Sequence, residues 1–311
     1  MPFFLIGGTG FIGRRVTRRL AATDHNVTVF HRGQTAPDLP ESVTTVYGDR
    51  DDADALRSAI AAASPDVVLD VIPYTETQAT ALVDACTGHA GRLVVLSSGD
   101  VYRQYDGLGG SSDHSPDPVP LAEDAPLRAS RYPYRGSGAD FAYTHDYDKI
   151  LVEEVVRAAD VPATVLRLPK VYGPGDGQHH LGEALSRLRA TEDLVLGDRQ
   201  ARWRWSRGYV ENVAAAIVRA ATSEAAIGHT YNVGEPDAVP EVTWLRRVAA
   251  AAGIDVTIRT VPDEQVDDQP PFDWAYSLAL DTRRIRSELG FAEPVPQEEA
   301  LKRTVAWERE A

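Results

Sequence analysis

The sequence is poor in cysteine, with Cys86 alone in 311 residues. A single thiol excludes an intramolecular disulfide framework and any zinc site built on several cysteines. It also points to a reducing, cytoplasmic setting. Lysine is almost as scarce: Lys149, Lys170 and Lys302 are three of 32 basic residues, a bias we read as a GC-rich coding habit. No run approaches the ~18 consecutive apolar residues of a membrane-spanning helix, so no membrane association is expected. The opening Met-Pro-Phe-Phe-Leu-Ile lacks the basic flank of a secretory leader and reads as a buried strand. Positive charge is in deficit overall. The 46 acidic residues give a net charge of −14 and a pI near 5.0, a field that opposes general binding to a phosphate backbone and makes a nucleic-acid partner unexpected. Disorder is excluded by an apolar content of 43%, and low complexity by 24 Gly and 20 Pro without a period.

What is present sets the architecture within the first thirty residues. The apolar run 3–6 leads into Gly7-Gly8-Thr9-Gly10-Phe11-Ile12-Gly13, then a helical pattern over 14–22 and a β-branched strand over 26–30. A strand, a glycine turn, a helix and a strand in that order are the context in which spaced glycines mean dinucleotide binding. Gly7 permits the tight turn, Gly10 lets backbone approach a pyrophosphate, and Gly13 lets the helix pack closely on the sheet. The helix N-terminus supplies free N–H donors. Runs at 65–71 and 91–97 are continuously apolar, as in parallel strands buried on both faces. Residues 53–63 and 77–87 carry helical patterns between them, and 44–47 reads as another strand.

The Gly-x-x-Gly-x-x-Gly spacing resembles the short-chain dehydrogenase/reductase superfamily, specifically its extended branch of epimerases, dehydratases and reductases. The resemblance continues through 164–175 (Thr-Val-Leu-Arg-Leu-Pro-Lys-Val-Tyr-Gly-Pro-Gly), the helix start at 209–216, the strand at 231–234 and the closing stretch from Leu280 to Trp307. It implies a Rossmann-type α/β fold, a doubly wound parallel sheet with a smaller C-terminal substrate lobe. The expected boundaries are 1–170 plus a helix near 210–222 for the dinucleotide-binding domain, and 175–200 with 228–311 for the lobe. It also implies cofactor contacts from Gly7, Thr9, Gly10, Phe11, Ile12 and Gly13, from Asp49-Arg50 at the adenine, and from Pro169. Homodimerisation is common in that family. The strand after the glycine loop ends Phe30-His31-Arg32-Gly33, without the acidic residue that holds an NAD ribose. Arg32 and Arg14 together suit a 2′-phosphate, so NADP is the expected cofactor in preference to NAD.

In such enzymes a serine or threonine orients the substrate oxygen, a tyrosine transfers its proton, and a lysine four residues later lowers the tyrosine pKa and holds the nicotinamide ribose. Ser97-Ser98-Gly99-Asp100-Val101-Tyr102 supplies the serine, Ser98 by its spacing to Tyr102, and Lys149 with the helical pattern behind it supplies the lysine. Four residues before Lys149 stands His145, not tyrosine. Three readings stay open. His145 serves as acid/base, which an imidazole pKa near ~6.5 permits. Alternatively Tyr143, Tyr147 or Tyr102 reaches in from an irregular segment, since on a continuous helix Tyr147 would point about 200° away from Lys149. Or the relay is absent and the chain binds NADP without turnover, as a sensor or an RNA-associated protein like the chloroplast stem-loop RNA-binding branch.

On the substrate side, Tyr102, Tyr143, Lys170, Arg204 and Arg207 are the candidates. A cation at Lys170 suits a phosphate or carboxylate. The segment Arg202-Trp203-Arg204-Trp205-Ser206-Arg207 reads as a strand with Trp203, Trp205, Arg207 and Tyr209 on one face, forming a pocket wall. Residues 106–135 read as a long loop, with Tyr132-Pro133-Tyr134-Arg135 placed over the pocket. Neighbouring His179 and His180 diverge on any regular element, so no metal site is expected. The leading function is an NADP-dependent oxidoreductase or epimerase/dehydratase acting on a small hydroxylated substrate, with a nucleotide sugar as one candidate.

Overall fold

The computed structural model describes residues 1–34, 38–110, 112–139, 143–266 and 272–311. Position 111 of the expected loop and 267–271 of the expected lobe lie outside these. The first half alternates strand and helix: β1 (Pro2–Ile6), α1 (Gly13–Ala21), β2 (Asn26–His31), β3 (Thr44–Tyr47), α2 (Ala53–Ala63), β4 (Val67–Asp70), α3 (Glu76–Cys86) and β5 (Arg92–Ser98). The second half continues with α4 (Gln104–Leu108), α5 (Lys149–Arg157), β6 (Ala163–Leu168), β7 (Lys170–Tyr172), α6 (Gly182–Arg189), β8 (Asp193–Gly197), α7 (Asp198–Arg202) and β9 (Arg207–Tyr209). Then come α8 (Val210–Thr222), β10 (Thr230–Asn232), α9 (Glu241–Ala252), β11 (Thr257–Val261), α10 (Arg283–Leu289) and α11 (Gln297–Glu308).

Seven strands form one parallel sheet in the order β10-β6-β5-β4-β1-β2-β3. Each of its inner strands is buried on both faces, as the continuous apolar runs require; Leu93 to Leu96 are 0–2% exposed. One face packs Phe4, Ile6, Val95 and Val152 against α2, α3 and α5. The other packs Leu5, Val16, Val94 and Ile217 against α1 and α8, and the same apolar cluster runs on to Trp244, Ile285 and Leu301 of α9, α10 and α11. Cys86 is fully buried at the end of α3, and burial pushes its thiol up to about 12. Chain order reverses between β1 and β4. A crevice therefore opens at the C-terminal strand ends there, where open α/β sheets bind their ligands. Among the described residues no helix is long and apolar enough to cross a membrane.

Two local expectations are corrected. Residues 202–207 are not one strand: α7 ends at Arg202, and β9 begins only at Arg207. Between them Arg204 bridges Pro240 while Trp205 bridges Leu278, and this division between two partners breaks the alternation. Trp203 is buried, with Nε1 donating to the Tyr276 carbonyl, and meets Trp205 edge to face at 5.2 Å. The second correction concerns α5. Asp148 is its N-cap, in an extended conformation (φ −157°, ψ 107°), and its side chain accepts from the Ile150 N–H. Helix thus begins at Lys149, and Tyr147 lies outside it, bridged to Thr75. The angle that would turn Tyr147 away from Lys149 on a continuous helix does not arise.

Candidate active site

The glycine loop is built for close approach. Gly7 sits at φ +79°, and a Cβ on Gly13 would stand 2.0 Å from the Gly7 carbonyl oxygen, so α1 starts directly on the loop backbone. A Cβ on Gly10 would meet only that carbonyl, at 3.9 Å, which leaves an open cradle. The first turn of α1 has neither a side-chain cap nor an acidic residue. The Arg14 and Arg15 N–H groups bond the Gly10 and Ile12 carbonyls, so the helix start offers an anion its dipole rather than those two donors.

Beyond the loop lies a pocket of about 130 Å³ bordered by Gly7, Thr9, His31, Arg32, Gly48 and Arg50. The Gly33 N–H donates to His31 Nδ1 at 3.2 Å, which places the imidazole proton on Nε2. Among the described residues that Nε2 and the Nε and Nη1 of Arg50 are buried without a partner, while Arg50 Nη2 pairs with buried Asp70. A buried wall of unmatched donors costs stability unless a ligand supplies acceptors. The phosphates and ribose of a dinucleotide would supply them, so these residues fit the cofactor that the glycine spacing implies. The two arginines part company here. Arg32 borders the pocket, whereas the Arg14 guanidinium packs over Gly175. Asp49 is exposed and accepts from the Asp51 N–H; Arg50 rather than Asp49 faces the pocket.

A larger cleft of about 420 Å³ adjoins the loop residues Phe11 and Ile12, and its walls include Ser98, Asp100, Lys149, Pro169, Lys170 and Trp205. Ser98 ends β5, and its Oγ accepts from the Asp100 N–H at 3.2 Å. Lys149 is 4% exposed, donates to the carbonyls of Pro73 (2.7 Å) and Leu96 (3.0 Å), and lies 4.9 Å from the Tyr74 ring centroid. Burial lowers its ammonium to about 8. Tyr147 donates to Asp100 Oδ2 at 2.8 Å and Tyr134 does so at 3.5 Å, with Tyr105 donating in turn to the Tyr134 hydroxyl at 3.0 Å. Burial, and then the nearby Asp100 carboxyl, push Tyr147 well above the ordinary phenol value. Buried Arg128 and Asp148, paired at 2.9 Å, hold this arrangement. Arg128 also binds the Asp100 and Ser130 carbonyls, and Asp148 accepts the Tyr132 N–H, so the loop carrying Tyr134 is tied to the start of α5.

Of the residues expected from the sequence, Ser98, Lys149, Pro169, Lys170, Phe11 and Ile12 meet in the cleft. His145 does not. Its side chain is 75% exposed and turns to Asp146. Tyr143 donates to Asp51 at 2.6 Å and stacks near Tyr74 at the cleft's edge. Tyr102 is fully buried behind the sheet end, its hydroxyl shared between Asn232 and Arg167. Arg204 donates to the Ala238 carbonyl and borders a separate concavity with Arg283 and Asp237, and Arg207 pairs with Glu241 over the Trp244 ring. These three side chains are satisfied by local partners outside the cleft. His180 is held by Asp176, and both line the cleft beside Gln178. Sequence reasoning missed Asp100, Tyr105 and Tyr74; the signal for Asp100 was its place two residues after Ser98, in a turn too short to carry it out of the site.

Comparison with known proteins places this geometry in context. The profile of the NAD dependent epimerase/dehydratase family matches residues 3–234. A 2'-dehydrokanamycin reductase of Streptomyces kanamyceticus is 30% identical over 271 residues, 85% of this chain and 70% of that protein. A 3-diazoavenalumate denitrifying reductase of a Streptomyces species is 29% identical over 271 residues, 81% of this chain and 82% of that one. Among solved structures, a UDP-glucose 4-epimerase from Thermotoga maritima, determined with UDP-glucose, shares the fold with a TM-score of 0.70 at 18% identity, covering 100% of this chain and 99% of that one. With its glycine loop, parallel sheet and serine-lysine cleft, the chain belongs to the NAD-dependent epimerase/dehydratase family.

Proposed function

We propose that the chain is an NADP-dependent reductase acting on the carbonyl of a small hydroxylated substrate. The observation that carries this reading is that Phe11 and Ile12 of the glycine loop line the same cleft as Ser98, Asp100 and Lys149. The cofactor loop and the groups that handle protons therefore share one space. The names of two relatives, both reductases, favour reduction over epimerisation. Reduced NADP, when bound, supplies the hydride.

The chain's own residues do the rest. Ser98 accepts the Asp100 N–H, and its hydroxyl, which also meets the Asp100 carboxyl and the Tyr147 phenol, turns to the substrate oxygen and fixes the carbonyl in orientation. Lys149 holds the ribose beside it, and its ammonium stabilises negative charge developing on that oxygen. The acid cluster of Asp100, Tyr134 and Tyr147 delivers the proton. His145, exposed beside Asp146, has no part in this mechanism. Arg32, His31 Nε2 and Arg50 favour a 2′-phosphate, and among the described residues no carboxylate borders their pocket. Lys170 and Trp205 form the substrate wall. Arg204 and Arg207, turned to other partners, leave the cleft without the pair of arginines that a sugar-nucleotide diphosphate would ask for, and this favours a smaller substrate.

The test is thermal unfolding with NADPH, NADP and NAD, followed by a screen of carbonyl compounds for NADPH oxidation. A ligand at ~100 times its Kd adds roughly 2.7 kcal/mol. Ser98→Ala is expected to lower kcat about 10²-fold or more. An unchanged melting midpoint with every dinucleotide, or a kcat indifferent to Ser98, defeats the reading.

A further inference from the structure

Asp100 is the acid group in the cleft whose chemistry its surroundings leave incomplete. It is 6% exposed, in the short turn 99–101 after β5, and it lines the cleft. Its two oxygens differ. Oδ2 accepts from Tyr147 at 2.8 Å and from Tyr134 at 3.5 Å. Oδ1 is buried with no geometric hydrogen-bond partner among the described residues. An ionised carboxylate has only acceptors, so in that form Oδ1 would be a buried charged oxygen with nothing to meet it. A carboxylic acid places its proton on Oδ1 and becomes a donor.

The charged groups around it allow the neutral form. Arg128 donates its Nε to the Asp100 carbonyl, but its charge is matched by buried Asp148. Lys149 turns its ammonium to the Pro73 and Leu96 carbonyls. Tyr105, Tyr134 and Tyr147 present neutral phenols, and Ser98 a neutral hydroxyl. Burial pushes the Asp100 carboxyl up from its ordinary value, against the opposing pulls of Arg128, the Tyr147 phenol, Lys149 and the Ser98 hydroxyl.

We infer that Asp100 is a neutral carboxylic acid in the resting protein and gives the proton that completes carbonyl reduction, the role left open by the missing tyrosine four residues before Lys149. This rests on the reductase reading. The step balances: the hydride of the reduced nicotinamide forms the new C–H bond, the Asp100 Oδ1–H bond breaks as the product O–H forms, and a carboxylate remains. The carboxylate is reprotonated at Oδ1 from the cleft that Asp100 lines, once product has left.

The experiment is infrared difference spectroscopy on the full chain without nucleotide, wild type against Asp100→Asn, at neutral pH. A carboxylic-acid carbonyl band present in the wild type and absent from the variant is expected. Tyr147→Phe, which removes the hydrogen bond to Oδ2, is expected to shift that band and not abolish it. Absence of the band, or a band indifferent to Tyr147, overturns the inference, because an ionised carboxylate cannot donate. With any carbonyl substrate from the NADPH screen, Asp100→Asn is expected to lower kcat about 10²-fold or more with KM within about threefold; a variant with wild-type kcat overturns it equally. Because the spectrum is taken without a dinucleotide, failure of the cofactor reading leaves the band in place, and failure of the acid reading leaves NADPH binding in place.

Discussion

The two ends of the crevice, which we assign to adenosine and to catalysis, are assembled by different means. At the adenosine end the binding groups come from backbone and from residues at the ends of adjacent strands: the loop after β1, His31 at the end of β2, and Arg32 and Arg50 just beyond β2 and β3. Its buried donors lack partners, so its polar balance is completed only by a ligand. At the catalytic end the groups come from segments spread over residues 98–149, from Ser98 and Asp100 through Tyr134 to Lys149, and Arg128 and Asp148 tie these segments together. Binding a phosphate needs N–H groups and positive charge, which a short spaced motif can present. Moving a proton needs side chains fixed relative to one another, which only tertiary contacts provide.

That contrast is broken most forcefully at Arg128. Its side chain and that of Asp148 are both fully buried, and removing one member leaves an unpaired buried charge. Arg128→Ala is expected to lower unfolding free energy in urea by about 3–5 kcal/mol. Protein that remains folded at low temperature should keep near-wild-type affinity for NADPH, because none of the donors at the adenosine end depends on this pair. A parallel loss of NADPH affinity would mean that the two ends are one coupled unit.

Lys149 gives the next largest effect, and a direction in pH. Its folded-state pKa, about 8, lies below its ordinary 10.5 because burial disfavours the charged form. Below pH 8 both folded and unfolded chains carry the proton, and the folded protein bears the full cost of burying it. Between 8 and 10.5 the unfolded chain binds more proton than the folded one, so stability rises with pH. Wild type is therefore expected to gain about 3 kcal/mol relative to Lys149→Met across that interval, read from urea unfolding at the two limits. A flat difference would show the ammonium to be solvated, and the catalytic end to be no drier than the adenosine end.

The same contrast explains what could be read from the chain before its fold. The glycine spacing, the strand it follows and the helix it opens lie within residues 2–21, so the Rossmann sheet and the cofactor loop were legible. Ser98 and Lys149 could be singled out because each is fixed to an element edge, the end of β5 and the start of α5, and both line the cleft. The proton donor proposed above was not, because the candidates were judged by spacing along a helix that begins only at Lys149. His145 was favoured by that spacing and lies at the surface; Tyr147 was disfavoured by it and lies inside. Tyr102, Arg204 and Arg207 were misplaced for a related reason: residue type and alternation suggested a pocket, but Asn232, Ala238 and Glu241 hold them elsewhere.

The smallest expected effect bears on the adenosine end alone and separates the two arginines that the sequence put together. Arg32 borders the pocket of unmatched donors, and Arg14 packs over Gly175. A guanidinium that contacts a 2′-phosphate contributes affinity for NADPH that NADH cannot use. Arg32→Ala is therefore expected to weaken NADPH about tenfold, roughly 1.4 kcal/mol, with NADH changed less than about twofold. Arg14→Ala should leave the ratio of the two affinities where it was. Isothermal titration of both variants with both nucleotides, at one fixed salt concentration because the contact is electrostatic, decides the matter. If Arg14→Ala shifts the ratio and Arg32→Ala does not, the phosphate is read from α1 rather than from the end of β2. The unmatched His31 and Arg50 donors would then serve the adenine or the ribose ring and not the 2′ position.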